Sequence, residues 1–350
     1  TASSSVAVPP LQDGLPVPRR YWAIVSIGLG ITLAVLDGAI ANVALPSIAQ
    51  DLRASEAASI WIVNAYQIAI VVALLPLASL GEIVGYRRVS QAGLAVFTLA
   101  SIGCVLADSI ATLSLARVVQ GFGAAGIMSV NGALVRFTYP HRMLGRAVGI
   151  NAVIVSLAAA AGPTIAGAIL SVGHWRWLFA LNIPIGLLAV SLAGFTLPHN
   201  PLQKRPLNWT GGLSAAAFGL VITGLQALAH GEASVLGFSL TGAGLAAGVL
   251  LVRHEKPRAA PLIPLDLLAR PMFALSVATS VISFTAQMMA FVALPFFLQG
   301  SLGLSAVETG LLMTPWPLAT MVAAPLAGWL SDRYSAGVLG AIGLSLFAAA

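Results

Sequence analysis

The chain has 350 residues, of which 58% are hydrophobic and 8% charged, with a formal net charge of +6 and a mean hydropathy of +0.94. A soluble domain carries about 25% charged residues, so the composition excludes one and points to an integral membrane protein. The excess of positive charge does not point to nucleic acid, because the basic residues alternate with apolar runs instead of forming one patch or block.

Residues 1–20 are polar and Pro-rich with no apolar core, which reads as an N-terminal tail rather than a cleavable signal. Apolar runs of about 20 residues follow, each long enough to cross a hydrocarbon layer of about 30 Å. They predict helices at 21–45, 57–80, 89–107, 111–135, 145–171, 177–197, 209–229, 235–252, 271–298 and 304–330. A last run begins near 337 and is still apolar at Ala350, so the chain is expected to be part of a longer protein. Cys104, the single cysteine, can form no intrachain disulfide and reads as a small packing residue.

With the N-terminus in the cytoplasm, Arg19, Arg20, Arg87, Arg88, Arg136, Arg142, Arg146, Lys204, Arg205, Arg253, Lys256, Arg258, Arg270 and Arg333 fall inside. Arg53 and Arg176 alone fall outside, and Arg117 lies within a helix; this asymmetry predicts the orientation. The Pro-rich, basic loop "LPHNPLQKRPLNWT" separates a six-helix bundle (21–197) from a segment (198–270) that holds a basic linker, two further helices and a cytoplasmic stretch. Within that stretch "LIPLDLL" is expected on the membrane surface. Residues 271–350 begin a second helical group. "ASLGEIVGYRR" and "GWLSDRYS" close the second and tenth helices at the same side, with Glu82 and Asp332 in matching places, which suggests two parallel halves.

Asp37 stands alone as an acidic residue deep in a predicted helix, and an ionisable group in hydrocarbon is a functional-site candidate by default. Counted at 1.5 Å per residue, Asp37 lies about 25 Å beyond Arg20, and Arg117 about 13 Å inward from the outer loop at Asp108, so the two can meet in the outer half of the membrane. Burial favours the neutral form of a carboxyl group and a neighbouring guanidinium the charged form. A carboxylate under both influences can load and release a proton as solvent access alternates. A static ion pair is the competing reading.

At the turn between the second and third helices, Gly85 permits a tight bend, and Glu82, Arg87 and Arg88 can pair with helix ends and hold one state of a rocking bundle. The arginines also fit simple positive-inside anchoring. Gly149, Gly162 and Gly167 with Pro163 give the fifth helix a small-residue face and a bend, which suit close packing. Asn42, Asn64, Gln67, Gln120, Asn131, Asn151, Asn182 and Gln287 are candidates either to line a cavity or to bond between helices. Tyr66, Phe122, Phe284, Phe291 and Trp316 are candidates for an apolar cage or for ordinary core and lipid contacts. Trp61, Trp175 and Trp177 are expected in the interfacial belt. The histidines, His141, His174, His199, His230 and His254, show no metal-ligand spacing or Ser/His/Asp grouping, and no G-x-x-x-x-G-K-[ST] loop is present. No metal, cofactor, enzyme activity or ATP-driven pump is therefore expected.

In their order and placement, "LDGAIANVALP", "LGEIVGYRR" with "LARVVQGFGAAGIM", "AAAAGPTIAGAIL" and "HWRWLFALNIPIG" resemble the major facilitator superfamily. Within it they resemble the fourteen-helix drug:proton antiporters of the quaternary-ammonium or methyl-viologen exporter type. The resemblance implies an all-α polytopic fold of two six-helix bundles with two extra helices between them, this chain stopping after the start of the eleventh helix. It implies a monomeric multidrug exporter of the cell (inner) membrane, driven by protons, with a lipophilic or cationic small molecule as cargo.

Asp37 and Arg117 would then couple protons, Glu82, Gly85, Arg87, Arg88, Asp332 and Arg333 would govern conformational change, and Gly162, Pro163 and Gly167 would limit leak. Asn42, Asn64, Tyr66, Gln67, Gln120, Asn131, Gln287, Phe291 and Trp316 would contact substrate. Glu82 stands where the family usually has aspartate, and Ala78 where glycine is common. Members that carry extra acidic residues in the second and tenth helices are matched here by Asn64 and Ala319–Thr320, which argues against a dication and for a monocation or lipophilic cargo. The same fold hosts uptake symporters, uniporters and lipid flippases, so export rests on the fifth-helix motif. A receptor or scaffold would show no solute-coupled proton movement.

Overall fold

The computed structural model describes residues 13–202, 209–229, 234–255, 269–331 and 333–349. Its helices are α1 (Arg19–Asp51), α2 (Glu56–Val84), α3 (Tyr86–Leu106), α4 (Ile110–Thr138), α5 (Leu144–Val172), α6 (Arg176–Ala180) and α7 (Asn182–Thr196). They continue with α8 (Trp209–Ala229), α9 (Ser234–Glu255), α10 (Pro271–Phe296), α11 (Ala306–Met313), α12 (Pro315–Ser331) and α13 (Ala336–Ala349). A 3-10 turn (His141–Met143) precedes α5, and one π turn (Phe297–Ser301) follows α10. Among the described residues eight helical stretches are long and apolar enough to cross a membrane, with α6 and α7 taken as one. The up-and-down order leaves Arg20, Arg88 and Arg142 at one end of the bundle, the Arg20 end. Asp51, Asp108 and His174 lie at the other, the Asp51 end.

Prolines account for several departures from the expected helix limits. The first helix runs through Pro46 to Asp51 instead of stopping at 45, since α1 is packed along most of its length and tertiary contacts outweigh one missing backbone bond. The expected helix 177–197 is divided into α6 and α7 because Pro184 has no N–H to offer the Ala180 carbonyl. Likewise the expected helix 304–330 becomes α11 and α12, broken where Pro315 and Pro317 withhold donors from Leu311 and Met313. The turn between α2 and α3 depends on Gly85, whose φ of +109° is accessible to glycine and costly to other residues.

α1 is the axis of the bundle and touches α2, α4, α5, α7 and α10. α2 and α3 lie along α4, α8 and α9 pair with each other, and α8 leans on α2. Lipid tails are as apolar as leucine, so such helices are held by van der Waals fit, and small residues let backbones approach. At the α3–α4 crossing a Cβ placed on Gly123 would lie 2.5 Å from the Phe97 nitrogen and 2.8 Å from the Gly93 carbonyl oxygen.

The apolar core falls into two clusters. One, toward the Arg20 end, contains Ile27, Leu33, Leu94, Phe97, Ile127 and Leu134. The other, toward the Asp51 end, contains Leu36, Ile40, Ile62, Leu113, Leu178 and Phe179. The boundary between them is polar.

α10, α11 and α12 meet the first six spans at the Asp51 end. Gln299 donates to the Val43 carbonyl at 3.2 Å, the Thr164 and Thr314 hydroxyls bond to each other, and Gly310 lies against Pro163. Most of α10 from Met272 to Met289 is exposed. Four sequence expectations fall on residues outside the described ones: Asp332, the surface segment "LIPLDLL", His230 and the basic residues Lys204, Arg205, Lys256 and Arg258.

Candidate functional site

The polar layer between the two apolar clusters is built from six helices. α1 supplies Asp37, α2 Tyr66 and the Ile62 carbonyl, α3 Ser101 and Cys104, α4 Arg117 and Gln120, α6 Phe179 and α7 Asn182. Arg117 and Gln120 share one face of α4 because residues three apart on a helix are neighbours, and the same spacing aligns Ser101 with Cys104 on α3.

Asp37 Oδ2 accepts from Arg117 Nη1 in an ion pair whose partners are 2% and 0% exposed. Asp37 Oδ1 accepts from Gln120 Nε2 at 3.0 Å and from Asn182 Nδ2 at 2.6 Å. Arg117 also donates to Gln120 Oε1 at 2.7 Å and to the Ile62 carbonyl at 3.2 Å. Gln120 reaches Ser101 Oγ at 3.0 Å, and Cys104 Sγ donates to Gln120 Oε1 at 3.5 Å. The guanidinium carbon lies 4.0 Å from the Tyr66 ring centre and 5.6 Å from that of Phe179. Two buried atoms, Arg117 Nη2 and Asn182 Oδ1, have no hydrogen-bond partner among the described residues.

Each part answers the cost of placing charge in an apolar interior. Two ions taken out of water lose several kcal/mol each, and their attraction offsets this only when the remaining hydrogen-bonding positions are filled. Gln120 and Asn182 fill those of Asp37, and desolvated aromatic faces contribute about 2 kcal/mol to a cation. The Tyr66 hydroxyl is separately held by the Ala34 carbonyl at 2.9 Å. Tyr66→Phe should therefore keep the ring over Arg117 and cost about 1 kcal/mol of stability. Tyr66→Leu should cost clearly more, a difference that thermal unfolding in detergent micelles reads directly.

The residues expected to contact substrate fall in four places. Tyr66 and Gln120 belong to the buried network, and Asn42, 5% exposed, donates to the Gly38 carbonyl of its own helix at 2.8 Å. Asn131 donates to Asn151 Oδ1 at 3.2 Å between α4 and α5. Phe291 and Trp316 meet edge to face, with ring centres 6.0 Å apart, and Gln287 stands half-buried one turn before Phe291. Asn64 and Gln67 face α8.

The conformational motif is also distributed. Arg87 donates to the Gly194 carbonyl near the C-terminal end of α7 and lies 3.1 Å from His199 Nε2, while Arg88 turns back to the Val84 carbonyl. Asn200 accepts from the Tyr86 N–H at 2.8 Å and so pins the start of α3. In α5, Gly162 abuts Ala39 of α1, and Pro163 and Gly167 abut α11, whereas Gly149 faces open space and makes no close contact. Trp175, expected in the interfacial belt, is 2% exposed and its Nε1 donates to Asp51 Oδ2 at 2.9 Å, while Trp177 is 66% exposed. Asp51 also lies 3.3 Å from His174 and 3.6 Å from Arg176, which ties the end of α1 to the turn before α6.

Sequence reasoning missed Ser101 and Asn200 and gave Asn182 no place beside Asp37. Serine is common in helices, and nothing in its spacing marks Ser101. Asn182 carried one usable signal, since it precedes Pro184 at a helix break.

A buried ion pair at the depth of the apolar layer marks a polytopic helical bundle as a membrane protein with a polar site inside it. The chain belongs to the Major Facilitator Superfamily, which residues 27–350 match, and it is a transporter, not an enzyme. It is 54% identical over 340 residues to the uncharacterized transporter YebQ of Escherichia coli (strain K12), covering 96% of this chain and 74% of that one. Against the riboflavin transporter RibZ of Clostridioides difficile (strain 630) the identity is 31%, over 91% of this chain and 69% of that one. Against the drug efflux pump JefA of Mycobacterium tuberculosis it is 32%, over 91% and 63%. The chain thus spans roughly two thirds to three quarters of the length of these relatives. In fold it is similar to the D-xylose–proton symporter, with a TM-score of 0.57 at 15% identity over 90% of this chain and 69% of the other.

Proposed function

We propose that the protein is a proton-coupled exporter of lipophilic or cationic small molecules, of the fourteen-helix drug:proton antiporter type, acting as a monomer in the cell membrane. The observation that carries this reading is the Asp37–Arg117 pair, buried between two apolar clusters and held by side chains from several helices. Protonation of Asp37 removes the charge that compensates Arg117 and leaves a buried cation, a loss of several kcal/mol. Opening the bundle to admit water or a new partner relieves that loss. Binding of a proton and movement of the helices are thereby linked, as a carrier requires.

The distribution of basic residues supports an N-terminus in the cytoplasm, which would make the Arg20 end the inner one. Contacts from Val43 to the turn after α10, from Pro163 to α11 and from Thr164 to Thr314 between α11 and α12 are then proposed to close the outer side. Asn131, Gln287, Phe291 and Trp316 are proposed to contact the cargo, with Asn42, Tyr66 and Gln120 acting behind them. Arg87, held at the end of α7, is proposed to stabilise this state together with Glu82, Gly85, Arg88 and Arg333. The six-helix bundle 21–197, the segment 198–270 with two extra helices and the second group from 271 are proposed as the architectural units. Export is supported by the α5 motif and by JefA among the relatives. RibZ, named as a riboflavin transporter, supports a second reading as a metabolite carrier of the same fold.

Inverted vesicles with an acidic lumen test the proposal. Adding a panel of lipophilic cations should release protons from the lumen, read by a pH-sensitive dye. No release with any cation would overturn export by antiport and leave the metabolite-carrier reading.

A further inference from the structure

Of the two amides that hold Asp37, one has an end to spare. Gln120 is fixed as a donor: its Nε2 serves Asp37 and Ser101, and its Oε1 accepts from Arg117 Nη1 at 2.7 Å and from Cys104 Sγ at 3.5 Å. Turning that amide over would set its NH2 group against the guanidinium, donor against donor. Asn182 has no such lock. Its Nδ2 donates to Asp37 Oδ1 at 2.6 Å, while its Oδ1 has no hydrogen-bond partner among the described residues. The side chain is 1% exposed, so the described residues already enclose it. A buried acceptor left in this way is costly, and a second bonding arrangement relieves the cost.

Protonation of Asp37 supplies that arrangement. An ionised carboxylate only accepts, which is why Asn182 presents its NH2 group; the neutral acid carries one O–H that must find an acceptor. Asp37 Oδ2 faces the Arg117 guanidinium, which has only donors to offer, so the proton belongs on Oδ1. From there the acceptor within reach is Asn182, once its amide has turned over and placed its oxygen where the nitrogen stood. The separation of 2.6 Å is short for N–H···O and ordinary for O–H···O. The outer torsion of asparagine is broad and roughly two-fold, so the turnover needs no strained rotamer.

Other ionisable groups around Asp37 do not compete. Tyr66 from α2 donates its hydroxyl to the Ala34 carbonyl, Cys104 from α3 its thiol to Gln120, and Arg117 is the partner from α4. α7 and α10 contain no ionisable residue, while Arg146 of α5, Arg176 of α6 and Glu308 of α11 stand in the first turns of their helices.

We propose that Asn182 is the positioning residue for proton loading: its amide donates to the ionised Asp37 and, turned over, accepts from the protonated acid at Oδ1. Asn182 opens α7 just before Pro184, so the turnover takes place at the joint between α6 and α7. That it serves export rests on the exporter reading; the hydrogen bonding does not.

The test is infrared difference spectroscopy of the purified transporter as pH is varied, with carbon-13 in the side-chain carbonyls of asparagine. Protonation of Asp37 is read as a carboxyl band that Asp37→Asn removes. One asparagine carbonyl band should move to lower frequency along the same pH profile, as that carbonyl gains a hydrogen bond. The signal should be lost in Asn182→Leu and in Asp37→Asn. In Asn182→Leu, Asp37 should also keep its proton to a pH about one unit higher, because a hydrogen bond to a charged acceptor is stronger than one between neutral groups. Asn182→Asp has the shape of asparagine and replaces the leucine variant where that one does not fold. It too should abolish the amide signal and hold the proton to higher pH, since two carboxyl groups in contact share one. No asparagine shift while Asp37 titrates, a shift that survives both variants, or a carboxyl profile that neither moves would overturn the role of Asn182 and leave coupling by Asp37 standing. Absence of any Asp37 titration would overturn both. Proton release by cations, measured in parallel, reports on export alone: its absence would sink that reading while the infrared signal still decides Asn182.

Discussion

Asp37→Asn is expected to abolish proton-driven accumulation of cations while leaving cargo exchange in place. Asparagine has nearly the shape of the protonated acid but cannot release a proton. In the wild-type site Asp37 accepts from Arg117, Gln120 and Asn182. The asparagine oxygen can still accept from one side, but its amino group then meets another donor, so the site resembles the proton-loaded state and stays there. In inverted vesicles, cation-dependent proton release should fall to the level of empty vesicles. Counterflow of labelled cation, which needs no proton gradient, should continue at a comparable rate. Release that survives would assign coupling to another carboxylate; loss of both activities at unchanged protein level would show that Asp37 holds the fold and not the proton.

Arg117→Leu is the second large effect, and it acts on stability. Removing the guanidinium leaves the Asp37 carboxylate buried with only two amide donors, and breaking a buried pair from one side costs about 3–5 kcal/mol. The ring of Tyr66 also loses its cation. The double variant Asp37→Asn/Arg117→Leu removes both charges, and replacing a buried pair as a unit is often nearly neutral. Thermal unfolding should place the double variant well above Arg117→Leu alone, with transport lost in both. Additive losses in the cycle would mean that the two charges are not energetically paired.

The chain's membrane character and nearly all of its spans were legible from apolar runs, because hydrocarbon leaves a helix as the way to satisfy the backbone of an isolated segment. The helix breaks at Leu181 and Thr314 were less so. A proline inside a run marks a missing donor, but whether the helix runs on, as at Pro46 and Pro163, or divides, as before Pro184 and Pro315, depends on the neighbours that hold it. Trp175 shows the same limit from another side. Its place at a helix end suggested an interface, and only the approach of Asp51 from α1 made it a buried donor.

Of the candidate site, the sequence singled out Asp37 and Arg117, since charge at membrane depth is expensive and therefore conspicuous in one dimension. Helical rise also brought the two to similar depth. What it left open was which uncharged groups complete the site, because an amide or hydroxyl in a helix costs too little to be informative by itself. Gln120, Asn182 and Ser101 converge on Asp37 by the crossing of α1, α3, α4 and α7, while Asn64 and Gln67, of the same chemistry, face α8 instead. The direction in which a helix face points is decided by packing between segments far apart in the chain, and that information exists only in the folded bundle.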